Sequence, residues 1–212
     1  MTNKTQKDRE AYDLQLVCLA ALADIMPLKD ENRIFVRQGL QSFNTGNIRL
    51  GIKELFGRLG LIGKSISSTD LSWNVIPLLN AAGRLGKPEI AAQLLLEENP
   101  SKRDELANII IQLNKDRKQL GNDAWNYSEK AAYESLERYN NKLVMVADER
   151  INRGVTGIVA NKLAQYFKVP AMVITFIENG NAIGSIRSVR GYDVTGLLDQ
   201  MSELFINYGG HN

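Results

Sequence analysis

The segment AIGSIRSVRG contains the pair of side chains best suited to binding a phosphate. Successive side chains on a strand point to opposite faces, so Ser185 and Arg187 share one face and Gly184 lies on the other. A hydroxyl and a guanidinium on one face can both donate hydrogen bonds to phosphate oxygens, and the glycine lets a ligand approach the backbone. A solvated face of an edge strand has the same pattern, so both interpretations stay open.

A second candidate lies where ERINRGVTGIVA enters a predicted helix. Arg153 and Gly154 precede this helix, and its first turn contains Thr156 and Gly157. Exposed amide groups and the helix dipole make such an N-terminus a candidate anion site. The glycines could equally serve close packing of the helix on a sheet.

The stretch LLNAAGRLGK places Asn80 and Arg84 four residues apart, on one side of a helix. Small residues between them, including Gly83, let a nucleotide or another backbone come close. The alternative is an ordinary helix C-terminus, where arginine complements the dipole and glycine ends the helix.

Asp24 ends an apolar predicted helix, on the unfavourable side of the helix dipole. A metal ion or a basic partner would explain a carboxylate there. It could equally cap the next turn.

The only histidine, His211, is the second-to-last residue, and a frayed terminus holds a reactive group poorly. The sequence contains no Cys-x-x-Cys motif, and a Ser–His pair cannot be built around a terminal histidine. Taken alone, the chain therefore lacks a recognisable catalytic centre.

Composition indicates a globular protein with one large or two small domains, since 44% of 212 residues are hydrophobic and 24% are charged. The net charge of +2 is small, so a phosphate-binding surface must be local. The single cysteine, Cys18, excludes an internal disulfide, and the absence of a signal peptide favours the cytoplasm. The apolar run between Asp13 and Asp24 is shorter than the ~20 residues that span a bilayer, so we expect a buried helix and no membrane contact.

Apolar residues at helical spacing predict helices through the first hundred residues. We expect Ser68 or Thr69 to cap the fourth helix, and Pro77 to kink or interrupt it. The predicted helices are AYDLQLVCLAALADI, ENRIFVRQGLQSF, NIRLGIKELFGRLG, TDLSWNVIPLLNAAGRLG and PEIAAQLLLEE.

From residue 101 to about 141 the polar sequence keeps helical spacing without a proline. Helices of ~10–14 residues are typical, so we interpret this one as a connector between two lobes, with a hairpin broken at 121–123 as the alternative. The period then changes from 3.6 to 2. The predicted order is strand KLVMVADE, helix GVTGIVANKLAQYF, strand AMVITFIE, turn ENGN, strand AIGSIRSVR and helix DVTGLLDQMSELF, capped by Asp193.

Several stretches, in order, resemble one family from about Ala11 onward. They are ALADIMPLKDENR, PLLNAAGRLG, RGVTGIVANKL, GSIRSVRGYDV and FINYGGH. Together they are similar to the second half of the RecJ-like single-stranded-DNA-specific exonucleases of the DHH phosphoesterase superfamily. The resemblance implies an α/β chain: 1–99 as the helical end of a DHH catalytic domain, 100–141 as a long connector helix, and 142–212 as a DHH-associated α/β domain with a mixed sheet, truncated at its C-terminus.

The resemblance also implies roles for individual residues. Asp24 matches a ligand of the divalent metals, Mn²⁺ or Mg²⁺, while Ser185 and Arg187 match the strand that holds the 5′ end. The remaining matches are Asn80, Gly83 and Arg84 at the cleft, and Gly209, Gly210 and His211 facing the active site. Where many members have Gly-Trp-His-x-Gly-Val, residues 150–155 lack the histidine.

The function implied is 5′→3′ hydrolysis of single-stranded DNA in repair and recombination. The Asp-x-Asp and Asp-His-His metal motifs of the family are absent, so we expect a fragment that binds DNA without cleaving it and lacks its N-terminal half. An open sheet edge could then pair copies of the chain. The alternatives are a DHH phosphodiesterase on short oligonucleotides or cyclic dinucleotides, a non-catalytic single-strand binding module, and an α/β domain that only binds other proteins.

Overall fold

A computed structural model of the chain describes residues 3–45, 47–177, 180–189 and 191–210. The chain divides into two units, Met1–Lys115 and Asp116–Asn212, and one long helix contributes residues to both. Within the described ranges, no helix combines the length and the apolar character needed to cross a membrane.

The first unit is helical, as its apolar spacing predicts. Cys18 is buried in its core, and this burial raises the pKa of the thiol to about 11. Phe43 and Phe56 pack at the centre with their rings 5.8 Å apart. The helices are α1 (Asn3–Ala23), α2 (Asp30–Asn44), α3 (Leu50–Arg58), α4 (Ser68–Asp70), α5 (Ile76–Arg84), α6 (Pro88–Leu96) and the first part of α7 (Pro100–Arg138).

The predicted cap of the fourth helix was wrong by one residue, because Ser67 caps α4 rather than Ser68 or Thr69. The amide of Asp70 donates to the Ser67 hydroxyl at 3.2 Å, and the Asp70 carboxylate accepts from the Ser67 amide at 3.0 Å. This reciprocal pair satisfies two amides at the helix start, and an acidic residue three positions after Ser67 makes it possible. Hydrogen bonds with Ser67 lower the pKa of the Asp70 carboxyl below its ordinary value.

The predicted interruption at Pro77 is present, as a π-helical turn over Leu71–Val75 that joins α4 to α5. The amide of Ile76 donates to the carbonyl of Leu71, five residues earlier. Pro77 has no N–H for the carbonyl four residues before it, so an α-helical ladder cannot continue unchanged through this point. The wider turn lets one helical segment run from Ser68 to Arg84.

Substituting Ser67 with alanine is expected to lower the free energy of unfolding by about 1 kcal/mol, because the first turn loses its side-chain acceptor. This loss of stability should be smaller in acid. Folding lowers the pKa of the Asp70 carboxyl, so its ionised form stabilises the native state above the usual pKa of 3.8, and this contribution is lost as the pH falls through the lowered pKa. Urea titrations near neutral pH and near pH 3 measure both effects. Ser68→Ala is the control, and an equal loss in that variant would contradict Ser67 as the cap.

The second unit contains a mixed sheet, as predicted, in the order β1-β2-β3. Val144 pairs with Ala171 in a parallel ladder, and Val173 pairs with Ser185 in an antiparallel one. The elements are the remainder of α7, β1 (Val144–Ala147), a 3-10 turn (Arg153–Val155), α8 (Thr156–Phe167), β2 (Ala171–Phe176), β3 (Ala182–Arg187), α9 (Val194–Gln200) and a 3-10 turn (Ser202–Leu204).

One detail of this unit differs from the prediction, and another is not tested. The last helix ends at Gln200 and continues only as a 3-10 turn, although its apolar spacing runs on to Phe205. Asp193 caps it as expected, by accepting from the amide of Gly196 at 2.9 Å. The predicted turn between β2 and β3 includes residues 178 and 179, which lie outside the described residues.

The long helix α7 runs unbroken for 39 residues, so the alternative of a hairpin at 121–123 was wrong. Ala107 and Ile110 are buried in the core of the first unit, and Ala124 and Ala132 in that of the second. Its apolar side chains therefore contribute to two separate cores, which explains how so polar a helix is stable at this length.

Candidate functional site

The start of α8 and the strand β3 form a cluster of hydrogen-bond donors, which we call the α8–β3 cluster (Thr156, Gly157, Ser185 and Arg187). The hydroxyl oxygens of Thr156 and Ser185 lie 3.0 Å apart. The Thr156 hydroxyl also contacts the carbonyl of Arg153 at 3.0 Å, which ties the turn before the helix to its first residue. Two segments that the sequence presents separately thus meet at one point.

Gly157 provides the space in this cluster. A Cβ at this position would lie 3.1 Å from Nη2 of Arg187 and 3.5 Å from Oγ of Ser185. The guanidinium is held over the helix start, where its Nη1 donates to the carbonyl of Ile186 at 2.9 Å. A larger residue would displace the guanidinium from the first turn of α8.

The strand face that carries Ser185 and Arg187 is the one covered by α8. Ser185 pairs with Val173 and Arg187 with Ala171, and both partners are buried. Paired residues share a face of the sheet, so the two polar side chains follow the helix-covered face to its edge. β3 is an outer strand of the described sheet, but this face is not simply solvated.

The electrostatics of the α8–β3 cluster favour an anion. Asn152 accepts from the amide of Gly154 at 2.8 Å and so caps the turn that leads into α8. Behind it, the positive end of the α8 dipole points toward the hydroxyls and the guanidinium. Donors from a helix and a strand therefore converge where a phosphate could bind with several charge-assisted hydrogen bonds.

An open pocket of about 560 Å³ in the first unit brings together Asp24, Asn80, Gly83 and Arg84, and we call it the α5 pocket. Its walls are completed by Ala23, Leu79, Pro88 and Ala91. All four predicted residues are exposed, whereas Ala81 and Ala82 on the other side of α5 are fully buried. The buried side anchors α5 and directs the polar side toward the pocket.

The end of α5 shapes this pocket through a glycine turn. Gly86 has φ +73°, and the amide of Lys87 donates to the carbonyl of Ala82 at 2.8 Å. That left-handed conformation favours glycine, and it ends the helix sharply. Pro88 then begins α6 at once, which brings it into the pocket wall.

Comparison with known proteins shows which proteins the chain resembles. Residues 140–212 match the DHHA1 domain. The single-stranded-DNA-specific exonuclease RecJ of Bacillus subtilis is 36% identical over 202 residues, which cover 93% of this chain and 25% of that protein. The Escherichia coli RecJ is 31% identical over 205 residues, covering 93% of this chain and 35% of the relative.

Solved structures agree in fold over the same extent. The structures of RecJ from Thermus thermophilus in complex with Mg²⁺ and with Mn²⁺ align with TM-scores of 0.78 and 0.79 at 26% identity. Each alignment covers 93% of this chain, and 30% and 28% of the respective RecJ chains. The chain is therefore RecJ-like in sequence and in fold over 93% of its length. It spans about a quarter to a third of the length of these relatives.

The structure places four other predicted residues of this RecJ-like chain outside the two sites as defined above. Gly209 and Gly210 are exposed, and a Cβ on either would meet nothing described within 4 Å. His211 lies outside the described residues. Arg153 and Gly154 form the turn before α8, where Arg153 contributes its carbonyl.

The sequence did not join the helix start of the RecJ-like chain's α8–β3 cluster to the strand residues Ser185 and Arg187. Thr156 and Gly157 were expected at a helix start, but nothing in their local pattern indicates that β3 lies against them. The sequence signal that could have joined them is residue type. Thr156 and Gly157 are small residues in a first helical turn, and Ser185 and Arg187 are phosphate-binding residue types in the same α/β unit.

Proposed function

We propose that this RecJ-like chain is part of a metal-dependent nuclease that hydrolyses single-stranded DNA from its 5′ end in repair and recombination. The Bacillus and Escherichia relatives are named single-stranded-DNA-specific exonucleases, which supports the class of reaction and substrate. The part played by this chain in the proposal is to bind and position the strand.

The observation that carries the proposal is the convergence of Ser185, Arg187 and the start of α8. In this proposal the α8–β3 cluster binds the terminal phosphate, because its hydroxyls, guanidinium and helix dipole all favour an anion. Asn80 and Arg84 of the α5 pocket provide a second phosphate-binding site. Contacts of this kind set the position of a strand and do not select its sequence.

Asp24 is proposed as one carboxylate ligand of a divalent metal, Mn²⁺ or Mg²⁺. The Thermus RecJ structures are complexes with these two ions. Among the described residues of this chain, no three or more His, Cys, Asp or Glu side chains are grouped so that they could hold a metal. The described donor set does not fit a metal centre by itself, and we expect the chain alone to bind DNA without cleaving it.

The proposal is tested by comparing a single strand carrying a 5′-phosphate with the same strand carrying a 5′-hydroxyl. We expect tighter binding of the phosphorylated strand, and we expect Arg187→Ala to reduce this preference about tenfold, as loss of a hydrogen bond to a charged group predicts. Fluorescence anisotropy over a salt series measures both affinities.

Arg138→Ala is the matched control, because it removes the same charge from the exposed end of α7. It should weaken binding of both strands slightly and leave their ratio unchanged. Equal affinities for the two strands in the unmodified chain would contradict a terminal-phosphate site in the α8–β3 cluster.

A further inference from the structure

Trp73 is exposed to an extent that is unusual for tryptophan. Its relative accessibility is 77%, whereas tryptophan is highly buried on average. The other tryptophan, Trp125, packs against the ring of Tyr166 at 5.6 Å and carries the Lys162 ammonium over its face at 4.0 Å. A large indole in water suggests a surface that a ligand covers.

The local structure holds Trp73 in this outward position. It lies in the π-helical turn Leu71–Val75, and Leu71 and Val75 on either side of it are fully buried. The Ser67–Asp70 capping box fixes the start of the same helical segment. Single π-helical turns within helices occur frequently at functional sites. The indole is thus presented on an anchored backbone and not on a loose loop.

Trp73 also lies on the helix that lines the α5 pocket. Trp73 lies in the π-helical turn that leads directly into α5, and Asn80 and Arg84 follow four residues apart on the exposed side of α5. Since a helix rises no more than about 1.5 Å per residue here, the seven residues from Trp73 to Asn80 span at most about 10 Å along the helix axis. A short stretch of nucleic acid can therefore contact the indole and the pocket together.

We propose that Trp73 stacks on a base of the single strand whose phosphate is bound by Asn80 and Arg84. This inference rests on the function proposed above and adds a base contact to its phosphate contacts. Arg84 and Lys87 at the end of α5 place positive charge beside the pocket, which suits a polyanion better than an apolar protein surface. Every base has a π-face, so the contact strengthens binding without selecting sequence.

Fluorescence isolates this contact, because Trp125→Phe leaves Trp73 as the sole tryptophan. The test is titration of that variant with oligo-dT and with an abasic strand of equal length, which has phosphates but no bases. We expect oligo-dT to quench the emission and the abasic strand to bind with little quenching. Binding of both strands, measured by anisotropy, with unchanged emission would overturn the inference.

Substitution of Trp73 provides an independent measurement. Trp73→Ala should weaken oligo-dT binding at least about fivefold and leave abasic-strand binding unchanged, while Trp73→Phe should retain most of the affinity. Equal oligo-dT affinity in Trp73→Ala and the unmodified chain would overturn stacking. If Trp73→Ala binds oligo-dT normally but the 5′-phosphate preference still depends on Arg187, the proposed function stands without the base contact. If the unmodified chain binds no strand at all, both the stacking inference and the proposed function are overturned.

Discussion

Replacing Gly51 with alanine is expected to lower the free energy of unfolding by about 3 kcal/mol, at the upper end of overpacking effects. A Cβ at Gly51 would lie 1.9 Å from the carbonyl oxygen of Leu94 and 2.7 Å from its carbonyl carbon. These are backbone atoms, which cannot rotate away as a side chain can. The methyl group therefore has to push α3 away from the end of α6, and both helices belong to the core of the first unit.

Gly57→Ala is the matched control, because it makes the same chemical change on the same helix. Gly57 is exposed, and a Cβ there would meet no atom of the described residues within 4 Å. Alanine is the better helix former, so this variant should be more stable by about 0.5 kcal/mol. Denaturant unfolding of the two variants should give shifts of opposite sign, and a shared sign would contradict the close approach of α3 and α6.

The Gly51 variant should also weaken strand binding at the α5 pocket. α6 contributes Pro88 and Ala91 to the pocket wall, and Leu94 on the same helix is the residue that an alanine at 51 would displace. The binding loss should accompany the stability loss and be absent in Gly57→Ala.

Gly157→Asp is expected to abolish the preference for a 5′-phosphate while leaving the second unit folded. The new carboxylate would stand within reach of Arg187, since a Cβ at this position lies 3.1 Å from Nη2. It would pair with the guanidinium and repel the phosphate by like charge. Because acidic residues are favourable in the first turn of a helix, stability should stay constant or rise slightly.

Gly157→Asn separates charge from size in this experiment. The asparagine side chain has the same shape as aspartate but carries no charge, so it should reduce the phosphate preference only by crowding Arg187. We expect at least a tenfold difference, about 1.4 kcal/mol, between the two variants in the ratio of 5′-phosphate to 5′-hydroxyl affinity. Anisotropy and thermal unfolding on the same samples measure both properties. Retention of the full preference in Gly157→Asp would mean that the phosphate binds elsewhere.

Local pattern predicted most elements of the fold, because helices and strands follow the spacing of nearby side chains. The long helix through Gly121 was predicted because helical spacing continues on both sides of that residue. The cap at Ser67 was missed because three adjacent hydroxyl residues are all acceptable caps, and Asp70 completes a reciprocal pair only with Ser67. The early end of α9 had no such local indication.

The sequence by itself determined which side chains lie together on one element: Ser185 with Arg187 on a strand face, and Asn80 with Arg84 on a helix side. These pairs depend only on the periods of the strand and the helix. Only the tertiary structure decided that the start of α8 lies against β3, that Asp24 lies beside α5, and that Gly51 is crowded while Gly57 is not. Such contacts join segments far apart in the chain, and they depend on how complete elements pack, which local spacing does not specify.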